Sequence, residues 1–228
     1  MKSKVLDKGF IEVVDSLGND LTVVNSARVS FGKRKEKFDK SDERLVRYLA
    51  KYKHYSPFRH LQVQFHIKAP EFAWNEISGR YVPVEDYYHP SVWRKQSDDN
   101  KQASEGVLDD LQQARMNDSY EALMQNVRMT YDRMVAAGMA KEQARIILPL
   151  NQYTEVYWTA SFQAIVNFIE LRDEKTSQWE IQEYAKVMKS GMVLKKYLIK
   201  RVQYYYLFNV MKANILWIAN CVFYMLYS

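Results

Sequence analysis

A chain of 228 residues is long enough for one large domain with its own core. Apolar residues make up 47% and charged residues 26%, which excludes a disordered chain. Five of the 33 basic residues and none of the 27 acidic ones fall in 190–228, leaving 28 basic against 27 acidic residues in the body, so no broad basic face for nucleic acid is expected. The opening "MKSKVLDKGF" has no apolar run of the secretory kind. Cys221 is the single cysteine, so an intramolecular disulfide is impossible and a reducing, cytoplasmic setting is expected.

In chain order, "GFIEVVDSLGNDLTVV" predicts two strands around a turn at Gly18-Asn19-Asp20. "SDERLVRYLAKYK" predicts a helix with Ser41 as N-cap and Leu45, Tyr48, Leu49 and Tyr52 at helical spacing. In "LQVQFHIKAP" Leu61, Val63, Phe65, Ile67 and Ala69 alternate with Gln62, Gln64, His66 and Lys68, the pattern of a half-buried strand. Ser104 to Ala137 reads as helix, with Leu108, Leu111, Tyr120, Leu123, Val127, Tyr131 and Met134 on apolar faces and Gly138 as its stop. "KEQARIILP" predicts a short helix ended by Pro149. "YTEVYWTASFQAIVNFIELR" runs from an extended entry into a helix, and "SQWEIQEYAKVMK" into another. A single mixed α+β domain over 1–189, with a central antiparallel-type sheet flanked by long helices, is the expected fold. Residues 190–228 form an atypical basic and apolar tail whose "ANILWIANCVFYMLY" is slightly short for a membrane span. That run suits a segment packed on the body, an oligomer contact or, as the less favoured expectation, membrane attachment.

Several chemistries lack their signatures. The glycines form no GxGxxG and no P-loop. His54, His60, His66 and His89 form no HExxH, and without clustered thiolates no metal site is expected. Cys221 sits in an apolar run with no neighbouring acid or base and is a poor nucleophile. Chemistry here therefore calls for a bound cofactor. The stretch "WNEISGRYV" is either a polar turn or an anion site, since Arg80 offers a planar fork beside Ser78 and the Gly79 backbone N–H, with Asn75 and Glu76 able to read a base edge or a ribityl hydroxyl.

That stretch is one of a series in a fixed order: "LDKGFIEVVDSLGNDL", "ARVSF", "YLAKYKHYSPFRH", "FHIKAP", "NEISGRY", "ARIILPLNQYTEVYW", "NFIELR" and "QWEIQEYA". Through them the chain resembles the flavin-dependent thymidylate synthases over most of 1–189. The resemblance implies reductive methylation of dUMP to dTMP, with FAD reduced by NADPH and a methylene taken from methylenetetrahydrofolate. It implies a homotetramer with sites shared between subunits, and no cysteine nucleophile. Carried over by motif, Glu76, Ser78, Gly79, Arg80 and Arg145 would bind dUMP. Arg172 would bind dUMP and stabilise the charge that develops on uracil. Ser30, Ser56, Asn75, Glu76 and Asn167 would contact FAD, and His54 would sit near flavin and folate as a catalytic residue. A non-catalytic dUMP-binding relative with impaired flavin binding is the alternative.

The family signature joins Arg-His-Arg, two residues, Ser and one residue to Asn-Glu-x-Ser-x-Arg. Only its second half is present, because the chain passes from Phe72 through Ala73 and Trp74 straight to Asn75. Either the protein has a true deletion of at least about ten residues, or a longer molecule carries the loop, which an intact mass well above 27.1 kDa would show. Ser161 and Gln163 stand where many members have Asn and Arg, Thr176 where a flavin-contacting histidine is common, and Arg59 where an acid is common. The polar run Trp93 to Ser104 reads as a solvated loop or as an altered lid.

Overall fold

The strand expected over 61–69 is the spine of the protein. The computed structural model describes residues 2–70, 86–101 and 103–190. In it a four-stranded antiparallel sheet runs in the order β1 (Lys2–Val5), β2 (Gly9–Leu17), β3 (Gln62–Pro70) and β6 (Tyr153–Ser161). β3 and β6 pair without a break from Gln62↔Ser161 to Pro70↔Tyr153. Val63, Phe65 and Ile67 are fully buried, as the alternation demands. β4 (Arg94–Gln96) and β5 (Ser104–Val107) make a separate hairpin.

Helices complete the core. Val23 and Val24 of α1 (Asp20–Arg28), Val46 of α2 (Lys40–Lys51), Ile165 and Ile169 of α5 (Phe162–Arg172) and Met188 of α6 (Trp179–Lys189) share one buried cluster with the sheet residues. Each such aliphatic side chain contributes roughly 1.5–3 kcal/mol by leaving water. Tyr184 of α6 reaches the sheet and donates its hydroxyl to the Lys68 carbonyl at 2.6 Å. A methyl group on Gly9 would lie 2.2 Å from that same hydroxyl, so this position has no room for a side chain.

Three expectations need correction. The second strand expected after Gly18 is helix α1: Asn19 accepts from the Thr22 N–H at 3.2 Å while the Thr22 hydroxyl accepts from the Asn19 N–H at 3.0 Å. Asp20, Val23 and Val24 are then buried at helical spacing, and this burial overrides the β-branched preference of "LTVV". Asp39, not Ser41, caps α2, because its carboxylate takes the Ser41 and Asp42 N–H groups and Asp42 returns to the Asp39 N–H. The helix expected from Ser104 begins only at Asp110, capped by Asp109, and Ser104–Val107 pair as a strand instead. Helix α3 (Asp110–Ala136) has no buried residue: Leu111 and Leu123 are 62% and 57% exposed. Its apolar Tyr120, Val127, Tyr131 and Met134 are half-buried among the described residues, and none is fully covered. β1 has no counterpart among the strands expected from the sequence.

Candidate active site

His54 follows the end of α2 on a tightly specified backbone. Lys53 holds φ at +58°, its N–H donates to the Ala50 carbonyl at 3.1 Å, and the His54 N–H donates to Leu49 at 2.8 Å. This is a Schellman closure with a lysine where glycine is usual, a conformation that costs an L-residue about 1–2 kcal/mol. The exposed His54 ring stacks on Tyr48 at 6.0 Å and 13°. Two residues on, Ser56 opens a 3-10 turn, Ser56–His60, whose Pro57 and Phe58 are buried while Ser56 is exposed. Phe58 meets Phe162 of α5 at 6.4 Å, and the Phe162 N–H donates to the Leu61 carbonyl at 2.8 Å. The turn is thus fastened to the start of α5, and it also packs on α1.

Ser30 lies in the 3-10 turn Val29–Phe31 that ends α1 and is exposed, as is Phe31 at 77%. The connection from this turn to α2 is held from below by Asp42, whose side chain is fully buried. Its carboxylate meets Arg28 at 2.5 Å, the Lys35 ammonium at 2.9 Å and the Asp39 N–H at 3.0 Å. Burial alone would raise the Asp42 pKa, but Lys35, the Asp39 N–H and Arg28 together take it below the ordinary carboxylate value. Asn25 ties the same loop, exchanging hydrogen bonds of 2.8 and 2.9 Å with the Lys35 backbone.

Helix α5 presents Asn167 and, as its last residue, Arg172, both exposed. Ser161 caps it, accepting from the Ala164 N–H at 3.2 Å. Gln163, 7% exposed, donates from Nε2 to the Asn167 Oδ1 at 2.7 Å, which turns the Asn167 amide N–H groups outward as donors. The Gln163 Oε1 is buried without a hydrogen-bond partner. In the sequence Gln163 stands out only as a departure from the family pattern, although its four-residue spacing from Asn167 is visible there.

Ser56 thus opens a turn that packs on α1 and α5; His54 precedes this turn, Ser30 follows α1, and Asn167 and Arg172 lie along α5, Arg172 at its far end. Arg145 stands elsewhere. It begins the 3-10 turn Arg145–Ile147 after α4 (Lys141–Ala144), and that corner packs on α3. Asn75, Glu76, Ser78, Gly79 and Arg80 lie outside the described residues, as does the 191–228 part of the tail.

Residues 12–195 match the family model described as thymidylate synthase complementing protein. The chain belongs to the flavin-dependent thymidylate synthase family. It is 41% identical over 197 residues to the flavin-dependent thymidylate synthase of Thermotoga neapolitana, covering 81% of this chain and 86% of the relative. With a Thermus thermophilus enzyme of the same name it is 40% identical over 200 residues, 81% and 71% of the two chains. Among solved structures it is similar to a UMP/dUMP methylase, PolB from Streptomyces cacaoi bound with 5-Br dUMP, at a TM-score of 0.75 and 28% identity over 91% and 97% of the two chains.

Proposed function

We propose that this chain reductively methylates dUMP to dTMP, with methylenetetrahydrofolate as carbon donor and NADPH as reductant. The observation that carries this is the family match over residues 12–195 with Asn75, Glu76, Ser78 and Arg80 in place. The PolB neighbour, with 5-Br dUMP bound, supports a deoxyuridylate substrate. Exposed hydroxyls at Ser30 and Ser56, the outward amide of Asn167 and the unpartnered buried Gln163 Oε1 make a donor and acceptor set suited to a phosphate-bearing polyol cofactor. FAD held by Ser30, Ser56, Asn75, Glu76 and Asn167 would supply the redox chemistry that a chain without a catalytic thiol lacks. Glu76, Ser78, Gly79, Arg80 and Arg145 bind the nucleotide, the arginines on its phosphate side. Arg172 both holds uracil and offsets its developing negative charge. His54 lies near flavin and folate, its ring oriented by Tyr48.

We infer a homotetramer as the working form and a cytoplasmic setting. Helix α3 lacks any buried residue, and the Arg145 corner lies on that helix, apart from the other described site residues. A second copy covering α3 would satisfy the apolar face and bring an Arg145 to a site. Sedimentation equilibrium is expected to give four times the chain mass, and a monomer would remove this account of the site. Among the described residues no helix is long and apolar enough to cross a membrane.

The decisive experiment is the visible spectrum of the protein with FAD, followed after NADPH with and without dUMP. Bound oxidised flavin is expected to bleach, and faster when dUMP is present. If no flavin is taken up while dUMP still binds, the chain is a nucleotide-binding relative. The absent signature half and the Ser161 and Gln163 substitutions favour that second reading.

A further inference from the structure

The run from Trp93 to Ser104 is neither a featureless loop nor part of the site above. It folds as the β4–β5 hairpin, and with α3 and the start of α6 it borders an open cavity of about 490 Å³. That lies within the 300–1,000 Å³ typical of small-ligand sites. Trp93, Tyr120 and Trp179 form its aromatic walls, Arg94 and Lys95 bring the cations, and Asn151 completes the lining.

The walls are preset. The Gln113 side chain both accepts from the Trp93 N–H and donates to the Trp93 carbonyl, each at 2.8 Å, while the indole N–H donates to Asn117 at 2.7 Å. Tyr120 lies 5.6 Å from the Trp93 ring, and its hydroxyl donates to the Tyr88 carbonyl at 2.6 Å. Arg94 sits over the Trp179 ring at 4.9 Å. Its Nε donates to Ser104 at 3.0 Å and its Nη2 to the buried Glu180 at 2.7 Å, two of the five N–H donors a guanidinium carries. Glu180 offsets that charge, so the net positive charge at the rim comes from exposed Lys95. Asn151 donates to the Tyr88 carbonyl at 3.1 Å and to the Tyr120 hydroxyl, yet its Oδ1 is buried with no hydrogen-bond partner.

Fixed aromatic panels, a cationic rim and an orphan acceptor correspond to the base, the phosphate and the exocyclic amine of a purine nucleotide. Uracil has no exocyclic amine, so dUMP is the poorer match. Residues 173–178 link Arg172 to Trp179 along the chain, so a cavity wall and a candidate site residue lie at the two ends of one short connection. We propose that this cavity holds the adenosine phosphate end of the reductant dinucleotide, with the base on the aromatic walls, the 2′-phosphate on Arg94 and Lys95, and the adenine amine on Asn151. This assignment rests on the reading that NADPH reduces the enzyme.

The test uses adenosine 2′,5′-bisphosphate, which carries no nicotinamide, so binding is read without any redox chemistry. Titrated into the full chain, it is expected to quench tryptophan fluorescence saturably. Lys95→Glu, an exposed change, is expected to weaken it about tenfold, and Trp179→Ala at least about fivefold. In turnover, Lys95→Glu is expected to raise KM for NADPH about tenfold with kcat unchanged, and to leave bleaching by dithionite as it was. Binding unaffected by both variants, or competitive displacement of the bisphosphate by dUMP, overturns the assignment. Variant-sensitive binding in a protein whose flavin NADPH does not bleach upholds the cavity as a nucleotide site and overturns the synthase reading instead.

Discussion

Replacing Arg172 with alanine is expected to lower kcat for dTMP formation by about 100- to 1,000-fold, the cost typical of removing one donor that meets developing charge. The expectation follows from position. Arg172 is the last residue of α5, exposed, and without an ion pair among the described residues, so its guanidinium is available to a ligand. Its competing role is to complement the C-terminal end of the helix, worth roughly a few tenths of a kcal/mol. A thermal melt separates the two, because the surface change should shift stability by no more than about 0.5 kcal/mol. Arg172→Lys keeps the charge and loses the planar fork, so it should recover only part of the rate. A variant that turns over like the parent would remove Arg172 from the reaction.

The strands and helices were legible where one residue pattern had one meaning. The alternation of 61–69 gave β3 because a half-buried strand must alternate, and the spacing in "FQAIVNFIELR" gave α5. "DLTVV" misled because its side chains favour strands while a capping pair at Asn19 and Thr22, fixed by hydrogen bonds across three residues, favours a helix. The apolar faces expected along α3 carry no buried residue, since a sequence does not say what covers such a face. For the candidate site, motif resemblance supplied Ser30, Ser56, Asn167 and Arg172, and the fold puts Ser56 in a turn that packs on α5, the helix that carries Asn167 and Arg172. The aromatic cavity was not legible: Trp93 precedes β4 while Tyr120 and Trp179 come from α3 and α6, and no periodicity links them.

Asp42 carries the second large effect, on stability. Asp42→Asn is expected to destabilise the protein by about 3 kcal/mol at neutral pH, the lower end for breaking a buried ion pair. The lower end applies because Arg28 and Lys35 keep 19% and 31% side-chain exposure and regain water when the carboxylate is lost. For a domain of this size that corresponds to a melting temperature lower by roughly 6–12 °C. The pH dependence follows from the sign of the shift. The folded-state pKa of Asp42 is below its unfolded value of 3.8, so the stabilisation is complete above that value and is lost as pH falls through the lower, folded one. Parent and variant melting temperatures should therefore differ most at neutral pH and converge in acid below about pH 4. A constant gap across that range would mean the loss comes from packing and not from charge. Because Arg28 and Lys35 bracket the exposed turn that carries Ser30, the same variant links stability to the site. Weakened FAD uptake at a temperature where the variant is still folded is the expected companion result, and unchanged uptake would mean that Ser30 is held in place without this clamp.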